Sequence, residues 1–224
     1  MSASAHRRLH DPKFLVGHWP LQGHAQDVSG HRNHGAWDAA EAYTAGPFGR
    51  QVAVFNATTS GIRILDNAVI NMTGWSGVTM IAWIRQLGQA ENNSGRIMVK
   101  GTIGGLLTIG DPSPRNMYGF VNTALGDATV LKTGVLSDNV FAYQIGFTWE
   151  STTGMPQPYL NGNNIGQAGA VRQSAISSDT GNVWVIGNST TGDRCFNGWI
   201  WDVRLYNVAL TGDEIAALYE YDTR

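Results

Sequence analysis

The sequence predicts an all-β domain, a two-sheet antiparallel jelly-roll sandwich with a short C-terminal helix. Three observations carry this. Apolar residues alternate with polar ones in short runs bounded by Gly, Pro, Asn and Asp, the mark of strands with one face on a core. Glycine is abundant at 28 of 224 residues, and eight Trp accompany seven Tyr and seven Phe, so turn-formers and bulky strand-formers occur together. About a dozen such runs follow one another at roughly 8–12-residue spacing, with one helix start at the end. No linker, charge block or fixed-period repeat divides the chain.

Residues 1–13, MSASAHRRLHDPK, read as a polar N-terminal arm with nothing to bury, either mobile or pinned by a partner, and residues 14–224 as one domain. FLVGHWPL, from Phe14, is a strand broken at Pro20. The Gly/His/Asn-rich loop QGHAQDVSGHRNHGAW leads to a short strand near Trp37. VAVFN (52–56) and GIRIL (61–65) are strands joined by a turn at 57–60. In VTMIAWIRQL (78–87), Val78, Met80, Ala82 and Ile84 alternate with Thr79, Ile81, Trp83 and Arg85. Both faces are largely apolar, so this strand is central and covered on two sides. RIMVKG, GLLTIG, MYGFVN, ATVLKTG and VFAYQIGFTWE (140–150) continue the series. Asn161-Gly162 signals a two-residue hairpin, and VWVIGN (183–188) is the strand before the closing stretch.

That stretch, residues 196–219, alternates Trp199, Trp201, Val203 and Leu205 with residues that include Asp202 and Arg204. The alternation puts Trp201 on the side of Val203 and Leu205 and predicts a buried ring there. Thr211 and Glu214 form a capping box, and Ile215 and Leu218 give one or two helical turns a buried stripe.

A net charge of -2 with 14% charged residues argues against nucleic-acid binding through phosphates. No run approaches the roughly 20 apolar residues of a membrane span. The N-terminus has no apolar run after its arginines, so no secretory signal is visible. Cys195 stands alone, which excludes an intramolecular disulfide. It reads as a gap-filler beside the Phe196-Asn197-Gly198 turn rather than a nucleophile, since all six His fall within the first 34 residues.

Several stretches resemble one family in order. LVGHWPLQGHAQDVSGHRNHGAW is similar to its opening Trp-Pro-Leu strand and Asp-x-Ser-Gly-x-x-Asn-His-Gly loop. PFGRQVAVFNATTSGIRI resembles its Phe-Gly-x-Ala-x-x-Phe-Asp-Gly pattern, VTMIAWIR its Ser-Ala-Trp-Val/Ile strand, and RIMVKG its Ile-Ile-x-Lys-Gly. PYLNGNNIG is similar to its Tyr-Val-Asn-Gly hairpin, and FNGWIWDVRLYNVALTGDEIAALY to its closing strand and helix. From residue 14 to 220 the chain resembles a LamG-like jelly roll of the concanavalin A-like lectin/glucanase superfamily. The resemblance implies a recognition module for glycans or proteins, of the kind found in secreted carbohydrate-active enzymes, adhesins, and phage virion and tail proteins.

Catalytic relatives are expected to carry carboxylates at alternate strand positions, because glycoside cleavage needs an acid and a nucleophile or base across the bond. Here Glu41, Glu91, Glu150, Glu214 and Glu220 are the glutamates, and none stands two residues from another carboxylate in a strand. The expectation is therefore not an enzyme. The family's structural calcium wants six to eight oxygen ligands, yet Gln22 and Trp201 stand where relatives have acidic residues. Asp27, the carbonyls near Asn33 and Asp202 remain, which disfavours a calcium site, so no cofactor is expected. His24, His31 and His34 read as loop residues rather than a transition-metal cluster.

A sugar stacks its apolar face on aromatic rings while polar groups take its hydroxyls. The loops expected to present such a surface are 86–95, 110–117, 150–157 and 188–194, and the ligand-binding residues expected on that ground are Trp75, Trp149, Trp199, Asp111, Arg115, Asn92 and Arg194. Trp83, Trp184 and Trp201 read as core. The expected function is a non-catalytic recognition or attachment module with a glycan or protein ligand. It would act in an extracellular assembly, a phage virion surface or tail component, with residues 1–13 contacting an assembly partner or another copy. The alternative is a carbohydrate-active enzyme or its binding appendage.

Overall fold

The computed structural model describes residues 9–58, 60–109, 114–139, 142–166, 169–179 and 181–224. Among these the strands, in chain order, are β1 (Leu15–Trp19), β2 (Gly35–Trp37), β3 (Tyr43–Ala45), β4 (Gln51–Asn56), β5 (Ile62–Ile64), β6 (Gly77–Gln86), β7 (Ser94–Lys100) and β8 (Gly104–Ile109). They continue with β9 (Arg115–Thr123), β10 (Gly126–Leu136), β11 (Tyr143–Glu150), β12 (Gln157–Leu160), β13 (Asn163–Asn164), β14 (Trp184–Ile186) and β15 (Asn197–Tyr206), and helix α1 (Gly212–Asp222) closes the chain. The larger sheet runs β13-β12-β11-β6-β15-β4-β3, with β1 also paired to β15, and the smaller runs β10-β9-β8-β7-β14-β5-β2. All described pairings are antiparallel. This is the expected jelly-roll sandwich.

The alternation read from the sequence explains the core. Val78, Met80, Ala82 and Ile84 of β6 face Met98, Leu106, Met117, Trp184 and Ile186 across the two sheets. The other face of β6 is covered as well. Ile81 meets Tyr159, Tyr206, Ile215 and Leu218, so α1 packs on the outside of the larger sheet. Only Arg85 escapes full burial along Gly77–Gln86.

Local chemistry sets the connections. Asn161 (φ 49°) and Gly162 (φ 77°) supply the two left-handed residues of a tight hairpin between β12 and β13. The segment at 57–60 instead carries the chain from the larger sheet to the smaller, because β4 and β5 belong to different sheets. β3 has three residues, too few to show alternation in the sequence. α1 runs 11 residues, longer than the expected one or two turns. Its capping box is formed: Glu214 N–H donates to Thr211 Oγ1 (3.3 Å) and Thr211 N–H to Glu214 Oε2 (2.8 Å). Thr211→Ala is expected to destabilise the domain by about 1 kcal/mol, measured as a lower urea midpoint with unchanged slope.

Two expectations are corrected. β15 carries a bulge at Asp202 (φ 53°), and its register with β6 shifts between Trp201 and Arg204. One extra residue reverses the alternation. Trp201 is fully buried, but on the outer face against Trp83 and Val52, while Val203 and Leu205 point between the sheets. The same bulge marks where β15 changes its second neighbour, from β4 before it to β1 after it. The second correction concerns residues 1–13. Leu9 is 2% exposed within the cluster under α1, its carbonyl accepts from Tyr206 Oη (3.2 Å), and His10 meets the Tyr221 ring. A single apolar residue in a polar stretch leaves no periodic trace. Residues 1–8 lie outside the described residues.

Candidate ligand-binding site

Outward positions of β6 and β15 pair in register, Arg85 with Trp199 and Trp83 with Trp201. The rings form a stack. Trp83 lies against Trp201 at 5.8 Å and 17°, and against Tyr219 of α1 at 5.5 Å and 18°. The Phe48 ring, from the β3–β4 turn, stands edge-on to Trp83 at 5.6 Å and 73°. Phe48, Trp83 and Tyr219 line an open cleft of about 660 Å³ with Arg85 and Asn139 at its rim. Trp83 is fixed from behind, since its Nε1–H donates to Asp222 Oδ2 at 2.9 Å.

Two features set this cleft apart from ordinary surface. Phe48 is 49% exposed and left-handed (φ 58°), a conformation that costs a non-glycine residue roughly 1–2 kcal/mol. Such strain at a surface aromatic points to use rather than packing. Arg85 lays its guanidinium over the Trp199 ring at 4.7 Å, and its Nε is buried without a hydrogen-bond partner among the described residues. The cleft thus offers the exposed Phe48 ring and the part-exposed Tyr219 ring, backed by the buried Trp83, with one charge-bearing donor group and an amide. An apolar face rimmed with hydroxyls fits that combination.

Behind the stack lies a buried ionic chain. Arg204 donates to both oxygens of Asp222 (2.7 and 2.8 Å) and to Asp202 (3.0 Å), which also meets His18 Nε2 (2.5 Å). Burial opposes ionisation of Asp202, but Arg204, helped by His18 and Arg50, outweighs it and holds the carboxyl at about 2.

The expected site residues scatter. Trp199 flanks the cleft through Arg85. Trp75 is half-buried against the core between the sheets. Trp149 is a correction: it is 1% exposed in that core, because it follows Ile145 and Phe147 on the inward face of β11. Arg115 is another, 2% exposed and paired with Asp138 through Nε and Nη2, both at 2.8 Å. It braces β9 to the chain beyond β10. Asp111 lies outside the described residues. Asn92 and Arg194 do come together, Arg194 Nη1–H donating to the Asn92 carbonyl at 3.2 Å, but away from the aromatic cleft. Phe48, Arg85, Asn139 and Tyr219 were not anticipated, and Trp83 is buried as expected, at the floor of the cleft.

The residues that would supply oxygen ligands to a calcium ion are already engaged. Asp27 accepts from His18 N–H, Ser29 N–H, Ser29 Oγ–H and Asn33 N–H, all at 2.9 Å, and Asp202 is committed to cationic side chains. These residues do not fit a calcium ion. The histidines diverge: His34 Nδ1 accepts from Asp27 N–H, His31 Nε2 meets the Pro12 carbonyl, and His24 Nδ1 accepts from Gln26 N–H. Cys195 is fully buried, with its thiol pushed up by burial and its Sγ 3.4 Å from the Ser60 carbonyl, the setting of a packed side chain.

A two-sheet jelly roll with a ring-lined surface cleft is an architecture that lectin domains share. The family model of the concanavalin A-like lectin/glucanases superfamily matches residues 56–216, and the chain belongs to that superfamily. No curated protein matches the chain. Among solved structures it is similar to domain 4 of AbnA, an extracellular arabinanase from Geobacillus stearothermophilus in complex with arabinotriose. That match has a TM-score of 0.66 and 18% identity over 92% of this chain and 98% of that one. It is also similar to botulinum neurotoxin type C, whose cell entry depends on two ganglioside molecules (TM-score 0.71, 11% identity, 95% of this chain and 52% of that one). A third is the binding domain of botulinum neurotoxin DC in complex with rat synaptotagmin II (0.70, 10%, 95% and 52%). The chain spans about half the length of these toxin structures. No helix among the described residues is long and apolar enough to cross a membrane.

Proposed function

We propose that this domain is a non-catalytic recognition module that binds a glycan in the cleft of Phe48, Trp83 and Tyr219. The observation that carries the reading is Phe48, an exposed ring held left-handed over a rigid aromatic stack. No carboxylate lines this cleft among the described residues, and the nearest network acid, Asp222, is tied to Arg204 behind Trp83. A glycan in this cleft would therefore meet no acid–base pair of the kind glycoside cleavage needs, which supports the non-catalytic reading. The similar structures support a ligand of this kind, one holding arabinotriose and another depending on gangliosides, while the synaptotagmin complex makes a protein ligand the competing outcome. Binding is independent of calcium. The module works outside the cell, and the assembly we assign it to is a phage virion surface or tail; its presence in purified particles would support that assignment, and its absence would sink it.

Phe48→Ala removes the strained ring without touching the core. A glycan array followed by calorimetry on the best ligand is expected to show affinity reduced about tenfold, in line with aromatic contacts worth roughly 0.5–1.5 kcal/mol beyond area. Chelator should leave binding unchanged. Equal affinity in the Phe48→Ala protein, or turnover of any polysaccharide, refutes the reading.

A further inference from the structure

A second pocket, of about 380 Å³, opens on the outer face of the smaller sheet, between β7 and the loop after β14. Two guanidinium groups line it, those of Arg96 and Arg194. Arg96 makes one side-chain hydrogen bond, from Nη1 to Ser94 Oγ at 2.6 Å, and among the described residues no carboxylate forms an ion pair with it. Arg194 donates to the Asn92 carbonyl and stands 3.9 Å from Asp193 Oδ2. Asp193 itself is engaged on Oδ1 by the Ser189 and Thr191 hydroxyls, both at 2.7 Å. Burial first, then the neighbouring Arg194, work against the charge on Arg96, and Asp193 and Tyr118 offset them only in part. Asp193 also lines the pocket, but its Oδ1 is taken by hydroxyls and it forms no ion pair with Arg96 among the described residues, so a half-buried cation beside a like charge still gains from an added anion. Asn182, Thr102 and Thr190 add an amide and hydroxyls to the lining.

We propose that this pocket binds the acidic group of a charged glycan, a carboxylate or sulfate, with Arg96 as its main partner and Arg194 as the second. The amide and hydroxyls suit the neighbouring sugar hydroxyls. A nucleic acid is a poor fit, because the chain is net acidic and charge-poor. The inference rests on the reading of the domain as a glycan-recognition module, but it uses a different surface, so the two can fail separately.

The test is calorimetry on the full chain with three oligosaccharide probes: oligogalacturonate, a heparin-derived oligosaccharide and a neutral arabinan fragment. Binding of either acidic probe is expected, weakening with added salt and falling about tenfold or more in Arg96→Gln, as for a lost charge-assisted bond. Response to oligogalacturonate alone identifies a carboxylate, and response to the heparin fragment alone a sulfate. Arg194→Gln should cause a smaller loss. Any neutral-probe binding should be insensitive to Arg96→Gln and sensitive to Phe48→Ala. Should Arg96→Gln not fold, the Arg96 side-chain NMR signal of the unsubstituted protein must shift on titration with the acidic probe. The proposal is overturned if neither acidic probe binds, if affinity is equal in a folded Arg96→Gln protein, or if that signal stays still.

Discussion

Lys100→Met is expected to destabilise the domain by about 3–5 kcal/mol, the range for removing one partner of a buried ion pair. Lys100 is fully buried. Its ammonium donates to Asp66 (2.5 Å) and the Ile70 carbonyl (2.8 Å), lies 3.0 Å from Asp179 Oδ2, and sits over the Trp184 ring at 5.5 Å. Asp179 is equally buried, and its Oδ1 has no hydrogen-bond partner among the described residues. Burial already pushes the Asp179 carboxyl up against the pull of the Met72 amide and of Lys100. Without the amine, Asp179 would be an uncompensated charge or a forced proton uptake, and either is costly. The loss should come from that stranded acid rather than from the missing ammonium. Lys100→Met with Asp179→Asn should therefore recover part of it, a positive coupling in a double-mutant cycle of denaturant midpoints. A single variant that loses less than about 1 kcal/mol would show the triad to be no more than a surface-grade ion pair.

This triad shows where the sequence stops being legible. Lys100 stood out only as part of a strand ending in Lys-Gly, and its partners come from two loops distant in the chain. Local alternation reports which face a residue takes, so β6 could be read as doubly covered, and Trp83, Trp184 and Trp201 as buried. It cannot report a bulge. Asp202 tolerates a left-handed backbone better than most residues, but nothing in Trp-Asp-Val-Arg-Leu marks the extra residue that turns Trp201 to the outer face. The cleft was hidden for a related reason. Phe48 was visible in Pro-Phe-Gly, but only as a family marker. Tyr219 looked like a helix end, and the stack exists only when the β3–β4 turn, β6 and α1 meet. Asn92 and Arg194 were anticipated as ligand residues from polar loops, and the fold does bring those two together. Trp149 and Arg115 failed because strand alternation and a buried carboxylate partner outranked their positions near loop ends.

Arg204→Leu is the other change expected to cost about 3–5 kcal/mol, because it strands two buried carboxylates at once. Asp202 and Asp222 are 3% and 1% exposed, and Arg204 is the cation they share. The pH dependence follows from Asp202. Its folded pKa of about 2 lies below the ordinary 3.8, so its contribution is complete above about pH 4 and disappears as the pH falls through about 2, amounting to on the order of 2 kcal/mol. In Arg204→Leu the largest attraction holding that pKa down is gone. Asp202 should then take up its proton at higher pH, and acid unfolding, followed by tryptophan fluorescence, should begin at a higher pH than in the unsubstituted protein. An unchanged acid transition would mean that His18 and Arg50 suffice to hold Asp202 charged. The same substitution reaches the cleft, because Asp222 Oδ2 accepts from both Arg204 and Trp83 Nε1. With Arg204 gone, Asp222 loses the group that positions its carboxyl, and the Trp83 ring loses its anchor. Glycan affinity should fall even at neutral pH in protein that remains folded, which ties the buried ions of β15 and α1 to the aromatic surface they support.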